Sequence, residues 1–381
     1  MKENFPTFYD YIYWRGDCSF DELPFCEVDA AIYSFLTYIS FDDFIPAQFD
    51  NKVTLKEVAD KFFARPKISW QTTAGVPIND YMLRLLQMCG ESRRFGETYL
   101  CGYSNIHNKE DVIQFGAFCV LLNNKKKNLL IVYEGTDESI VGWHEDFTLC
   151  YKYPWASEPL SAEYLNQVYK NFKRGGKHIV IGHSKGGTNA VYAVLKASSS
   201  HQKKISAIYN LDGPGFPKDV LESKEYEKIS DKLINYYPGL SVIGQAFLHK
   251  GKDKIVCSNE IGIMQHEPYS WKVQGSHFVY LKDFSSDGKF LAKSMNQWIE
   301  DNSLEVKKIF VESLFSVVNS AGVDSNYEFE QNKVVSSAKM ISAFAQLDAE
   351  QKKIIQNNIH SVLKICKDNF PMLEIFPFKN K

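Results

Sequence analysis

The sequence predicts an α/β fold on a mostly parallel central sheet, and three observations carry that expectation. Short β-branched runs alternate with helical runs between about residues 110 and 300. One of them, "HIVIGHS", is a short apolar run of the kind that fills a strand covered on both faces. A helix-forming stretch, "TNAVYAVLKA", follows it directly after a glycine-rich turn.

Residues 5–50 are dense in aromatic and acidic side chains, with a helical stretch near 27–39. "TLKEVADKFFARP" opens on a threonine cap and ends at Pro66, which predicts a short helix. "NDYMLRLLQMCG" has a capping residue in front and Gly90 behind and predicts another. The period then changes. "VIQFGAFCVLL" and "NLLIVYEGT" are β-rich and joined by a lysine turn at 125–127, which reads as a hairpin. "SAEYLNQVYKNFKRGG" is an amphipathic helix closed by glycines and leads into "HIVIGHS". "KISAIYNLDGPGF" reads as strand then turn, "DVLESKEYEKISDKLIN" as helical, and "DKIVCSN" as a strand. From Leu304 onward the pattern is helical only. The expected organisation is therefore an N-terminal helical and aromatic segment packing on the core (1–100), the α/β core (101–303) and a C-terminal helical extension (304–381).

Composition narrows the function classes. The 381 residues are 44% hydrophobic and 14% aromatic, a globular composition with room for a sizeable core. Lys plus Arg number 44 against 46 Asp plus Glu, so no basic footprint points to nucleic acid. No run approaches the roughly 18 apolar residues of a membrane span, and the first residues do not read as a secretory signal. Eight cysteines show no CxxC spacing, so no zinc site is expected, and without a secretory signal no disulfide framework is expected either. They read as reduced thiols of a cytoplasmic protein. The oligomeric state is not legible.

Gly182-His183-Ser184-Lys185-Gly186 fits G-x-S-x-G, and its chemistry explains its glycines. A sharp strand-to-helix turn holds the serine in a strained conformation, and small neighbours at Gly182 and Gly186 allow the helix to approach. The hydroxyl then stands at the strand end with a helix N-terminus behind any developing oxyanion. The competing reading is a helix-capping serine after a buried strand.

A serine hydroxyl needs a base, and the base an orienting acid. Asp212 ends the strand after the nucleophile's helix, so parallel strands would carry it beside Ser184; the alternative is an ordinary turn aspartate in D-G-P-G. Asp231, Asp253 and Glu260 are weaker candidates. For the base, His266 in "EIGIMQHEPYSW" is favoured over His249 and His277, and His183 is read as structural. The oxyanion hole is assigned to the N–H groups of Lys185 and Thr136, the latter from the Gly135-Thr136 turn and with a role open for its hydroxyl. Asp146 and Trp143 are expected to pin the loop after that strand. The Lys185 side chain is expected either to meet an anionic substrate group or to be solvated.

"YEGTDESIVGWHEDF" with "IGHSKGG" resembles the class 3 lipases, whose G-T turn supplies the oxyanion hole and whose GHSxGG carries the nucleophile. "LDGPGF" is similar to the acid turn of pancreatic-type lipases. Together with "WRGDCSFDELPFCEVDA", "GHSKGGTNAVYA" and "QHEPYSWKV", these blocks resemble a bacterial family of lipase-like α/β-hydrolases common in Firmicutes. The resemblance covers about residues 5–279 and implies an α/β-hydrolase fold with a Ser-Asp-His triad and no particular substrate. Two departures stand out: class 3 lipases carry their acid later than Asp212, and Thr188 replaces the family's usual Asn.

The expected activity is cleavage of a small-molecule or lipid carboxylic ester through an acyl-enzyme, with no metal or organic cofactor required. A non-enzymatic binding or regulatory protein on the same fold is the alternative from another class. An acyltransferase or thioesterase on the same triad is the third. The N-terminal segment and C-terminal helices could form a lid or acyl pocket in any of them.

Overall fold

The computed structural model describes residues 5–67, 79–172 and 175–369. Four strands open the sheet, each antiparallel to the one before: β1 (Val53–Thr54), β2 (Tyr99–Asn108), β3 (Ile113–Leu121) and β4 (Leu129–Tyr133). β5 (His178–His183), β6 (Ile205–Leu211), β7 (Leu233–Pro238) and β8 (Lys252–Val256) then run parallel to β4. β9 (Val273–Gln274) and β10 (His277–Phe278) form a separate ribbon, and β11 (Tyr280–Leu281) pairs antiparallel with β8. Among the described residues the large sheet has nine strands, in the order β1-β2-β3-β4-β5-β6-β7-β8-β11.

Among the described residues, five helices precede or interrupt the opening strands: α1 (Phe8–Arg15), α2 (Glu27–Leu36), α3 (Leu55–Phe63), α4 (Asp80–Glu91) and α5 (Arg93–Gly96). The crossovers carry α6 (Ile140–Thr148) and α7 (Ser157–Asn171), α8 (Lys185–Lys196) and α9 (Ser199–Lys204), then α10 (Lys218–Leu221) and α11 (Lys224–Ser230). The chain continues in α12 (Ser286–Asp301), α13 (Leu304–Asn319), α14 (Asn326–Gln331), α15 (Lys333–Gln346) and α16 (Ala349–Asn369).

The strand order decides how the two faces are covered. Consecutive parallel strands joined by right-handed crossovers place their helices on one face. Leu129, Ile131 and Tyr133 of β4 accordingly share a core with Leu165 and Val168 of α7, Val191 and Val194 of α8 and Ile229 of α11. The alternate residues Leu130 and Val132, with Ile179 and Ile181 of β5, face the other way. That face would stay wet without chain from elsewhere, and α1 and α2 cover it: Phe8, Ile32, Phe35 and Leu36 join the same core.

α2 is buried at all ten positions, its two carboxylates included. Both are compensated, as buried charges must be. Asp29 accepts from the Arg94 guanidinium at 2.6 and 2.9 Å. Glu27 accepts from Lys254 Nζ at 2.8 Å, Tyr236 Oη at 2.8 Å and the Phe278 N–H at 2.9 Å. Burial works to raise the Glu27 carboxyl, but Lys254 and its other donors hold it below the ordinary glutamate value. These partners tie the N-terminal layer to the far edge of the sheet.

Two strands depart from the expectations. "DVLESKEYEKISDKLIN" is not helical throughout: α11 stops at Ser230, and Leu233 begins β7. A helical period read across that break hides the strand. β2 was not legible because its pairing slips between Cys101 and Ser104, where Gly102 takes φ +66°, so its alternation breaks. The lysine turn lies where the sequence places it, α3 lies within the helix expected at 54–66, and β8 overlaps the strand expected at 253–259 but stops at Val256. The Lys173 and Arg174 end of the α7 stretch lies outside the described residues.

Removing one partner of the enclosed Asp29–Arg94 pair leaves a buried charge without compensation. Arg94→Met should cost about 3–5 kcal/mol in urea unfolding, and Arg94→Met with Asp29→Leu should recover most of it.

Candidate active site

Strand register brings the candidate residues together. Tyr133 pairs with Gly182, His183 with Leu211, and Leu211 with Tyr236, so β4 to β7 end on one line. Thr136, Ser184 and Asp212 each follow one of these ends. A crevice beyond the carboxyl ends of parallel strands is where open α/β sheets place their chemistry.

Ser184 stands between β5 and α8 with φ 55° and ψ −134°, a conformation that costs a non-glycine residue of order 1–3 kcal/mol. Its N–H donates to the Leu211 carbonyl at 2.9 Å, and its carbonyl accepts from the Gly187 N–H at 2.8 Å. The glycines around it are demanded by approach distances. A Cβ on Gly182 would lie 1.9 Å from the Gly186 oxygen, and one on Gly186 would lie 2.4 Å from the Tyr133 oxygen.

Asp212 is also strained, at φ 53°, and is fully enclosed. Its N–H donates to the Tyr236 carbonyl at 2.8 Å, so β7 fixes the acid's backbone. Oδ1 accepts from Ser241 Oγ at 2.5 Å, and Oδ2 meets His266 Nδ1 at 2.6 Å. His266 ends a short 3₁₀ turn, Gly262–His266. Two bonds from its neighbour pin that turn: the Leu240 N–H donates to Gln265 Oε1 at 2.9 Å, and Trp271 Nε1 donates to the Gln265 carbonyl at 2.8 Å. Burial works to lower the His266 basicity, but the bond and charge of Asp212 outweigh it, and the imidazole is held above its ordinary value.

His183 links this arrangement to the N-terminal layer. Its Nε2 lies 2.9 Å from the His266 carbonyl, an oxygen that can only accept, so Nε2 carries the proton. Nδ1 is then the acceptor for Tyr38 Oη at 2.7 Å. Burial, followed by the neighbouring His266, pushes the His183 imidazole far below its ordinary value and keeps it neutral. Tyr38 Oη also lies where a Cβ on Gly135 would be, 2.0 Å away, so one phenol sits against both His183 and the turn before Thr136.

The Thr136 hydroxyl is engaged: it donates to the Asp146 carboxylate, 2.8 and 2.7 Å from its two oxygens. Burial pushes the Asp146 carboxyl up to about 6, against the charge of Lys185 and the Thr136 bond. Asp146 pins this loop through Thr136, while Trp143 is 46% exposed. The Lys185 side chain corrects both of its expected fates. It is neither solvated nor free for a substrate anion, being 1% exposed with Nζ 2.9 Å from Glu145 Oε2 and from the Gln114 carbonyl.

The other candidates lie elsewhere. The His249 ring packs on Tyr237 at 5.3 Å, and burial lowers its basicity to about 4. The His277 side chain is 71% exposed, 3.9 Å from Glu27. Asp253 accepts from Asn235 Nδ2 at 2.9 Å within β8, Lys252 donates to the Asp231 carbonyl at 2.8 Å, and the Glu260 N–H is capped by Ser258. Sequence reading missed Tyr38, Ser241 and Glu145 as parts of the site. The first two lie in unremarkable text, while Glu145 beside Asp146 in "GWHEDF" was a signal available to it. Among the described residues no group of three or more His, Cys, Asp or Glu could hold a metal ion, and no helix is long and apolar enough to cross a membrane.

The model of the Mbeg1-like family matches residues 89–316, from the end of α4 into α13. The chain belongs to the Mbeg1-like family. The match spans the Ser184, Asp212 and His266 turns, and leaves out α1, α2 and Tyr38. No curated protein matches the chain. Among solved structures, that of M37 lipase is similar at 12% identity and a TM-score of 0.35, over 58% of this chain and 70% of that one. The N-terminal layer that locks His183 thus lies outside the part by which the Mbeg1-like family is matched.

Tyr38→Phe removes the donor to His183 Nδ1 and leaves a buried acceptor unpaired. It should cost about 1–3 kcal/mol in urea unfolding, a loss that a phenylalanine at an exposed tyrosine such as Tyr13 would not cause.

Proposed function

We propose that this Mbeg1-like chain is a serine hydrolase of carboxylic esters, lipase- or esterase-like, acting on a small-molecule or lipid ester. The observation that carries the reading is the 2.6 Å bond between Asp212 and His266 at the sheet edge where the strained Ser184 stands. A turn that costs backbone energy and a histidine oriented by an enclosed carboxylate are the two parts an activated serine requires.

Ser184 Oγ attacks the ester carbonyl while His266 Nε2 takes its proton. Asp212 holds the Nδ1–H tautomer and favours the imidazolium that forms. The oxyanion is received by the N–H of Lys185, first residue of α8 and so without an acceptor in its own helix, and by the N–H of Thr136. The imidazolium then protonates the leaving alcohol, and water enters by the reverse sequence to release the acid. The Thr136 hydroxyl takes no part as a donor to substrate, since Asp146 already holds it.

A fluorophosphonate should label the native protein, and Ser184→Ala should abolish the labelling. His266→Ala and Asp212→Asn should slow it by several orders of magnitude, by analogy with the roughly 10⁴-fold loss on neutralising a triad aspartate. A folded native protein that takes no label would point to a binding protein on this fold.

The base must be neutral to accept the serine proton, so kcat/KM should fall as pH drops through the raised His266 value. The acid limb of the profile should therefore lie above the ordinary histidine range near 6.5. Asp212→Asn removes the interactions that raise it and leaves the burial that lowers it, so the limb should shift to lower pH in whatever activity remains.

A further inference from the structure

Lys185 presents an anomaly that the proposed chemistry does not use: a fully enclosed cation on the residue that follows the nucleophile. Enclosing a charge pair costs several kcal/mol of desolvation per ion, and a well-packed apolar pair is often no less stable. Stability alone is a poor reason for this pair.

Its surroundings give a better one. Lys185 Nζ donates to Glu145 Oε2 and to the Gln114 carbonyl, each at 2.9 Å. Glu145 is 0% exposed and is itself fixed from two further sides, by the Gln114 N–H at 2.8 Å on Oε2 and the Ser157 N–H at 2.7 Å on Oε1. The side chain of the first residue of α8 is thereby tethered to β3, to α6 and, through Glu145, to the start of α7. The next residue on α6, Asp146, holds Thr136. Both residues assigned to the oxyanion hole hang from one turn of one helix.

We infer that Glu145, acting through the enclosed Lys185 ammonium, is a positioning residue that sets the direction of the Lys185 N–H toward the oxyanion. The inference rests on the proposed hydrolase reading. A lysine tail that was free would leave the first turn of α8 able to rotate its N–H away from the line of the forming bond. The tether removes that freedom before substrate arrives, which is the condition for an oxyanion donor to favour the transition state over the ground state. Glu145 neutralises the ammonium at contact, so the pair acts through position rather than through its net field.

The test compares the native protein with Lys185→Met/Glu145→Gln, which removes both charges at nearly constant volume. Three constants are read on a chromogenic ester: kcat, KM and the inhibition constant of a trifluoromethyl ketone, whose serine adduct carries an oxyanion. Removal of a whole oxyanion donor costs about 10²–10³ in kcat, so misdirecting one should cost about tenfold. The ketone should weaken by the same factor with KM within threefold, while the unfolding midpoint stays near native. A folded double variant with unchanged kcat and ketone affinity would overturn the inference and leave the pair a packing feature.

If that variant does not fold, the native protein decides. With ¹⁵N-labelled lysine, the Lys185 amide resonance should move when the ketone adduct forms, while Nζ, held beforehand by Glu145 and Gln114, keeps its position and its protection from solvent exchange. An Nζ that exchanges freely or shifts with the adduct would overturn the fixed tether. Absence of any reaction with ketone or fluorophosphonate would instead sink the hydrolase reading itself.

Discussion

The candidate site depends on how closely α8 can approach β5 and β4. Ser184 holds a left-handed backbone only because its own N–H and carbonyl are both bonded, to Leu211 and Gly187. Those bonds need the helix start to lie almost against the strand. Gly182 and Gly186 grant that approach, since a Cβ on either would meet a backbone oxygen at 1.9 or 2.4 Å. The strain at Ser184 is sustained by the packing of the whole sheet edge, because β5 and β6 cannot separate without exposing cores on both faces.

Everything else at the edge follows from covering that sheet twice. Strands in consecutive order send α7, α8 and α11 to one face, so the other must be closed by α1 and α2. The covering layer then becomes part of the site. Tyr38, two residues beyond α2, locks the tautomer of His183, and His183 in turn holds the carbonyl of His266. The N-terminal layer is fixed at the other side by Arg94 on Asp29 and by Lys254 and Tyr236 on Glu27. A displacement of α2 would therefore reach the histidine that Asp212 orients.

The C-terminal helices connect to the same region from the opposite side. The Ile140 N–H donates to the Asp324 carbonyl at 2.9 Å, and the Asn326 N–H donates to the Glu138 carbonyl at 3.2 Å. His144 stacks on Phe315 at 4.3 Å, and Ile140 shares a small core with Phe310, Val311 and Phe315. α6, which carries Glu145 and Asp146, is thus held between the sheet and the appended helices. Its rigidity is a property of three layers.

The sequence by itself determined the α/β class, the strand-turn-helix at Ser184 and the relation of that serine to Asp212 along one sheet edge. These are local or topological consequences: apolar runs of strand length, glycines at fixed offsets, and parallel strands that all end on one side. It also favoured His266 over His249 and His277, from its place in a loop after a strand. What the tertiary structure decided was the set of partners that arrive from distant chain. The pairing of Lys185 with Glu145 spans 40 residues, and that of Tyr38 with His183 spans 145. Enclosure turns a lysine that reads as solvated or facing a substrate anion into a fixed tether, because a buried cation must find an anion wherever the fold places one. β7 was settled in the same way: Leu233–Pro238 becomes a strand because an unfilled edge of β6 stands ready to pair with it, a condition that no local pattern records.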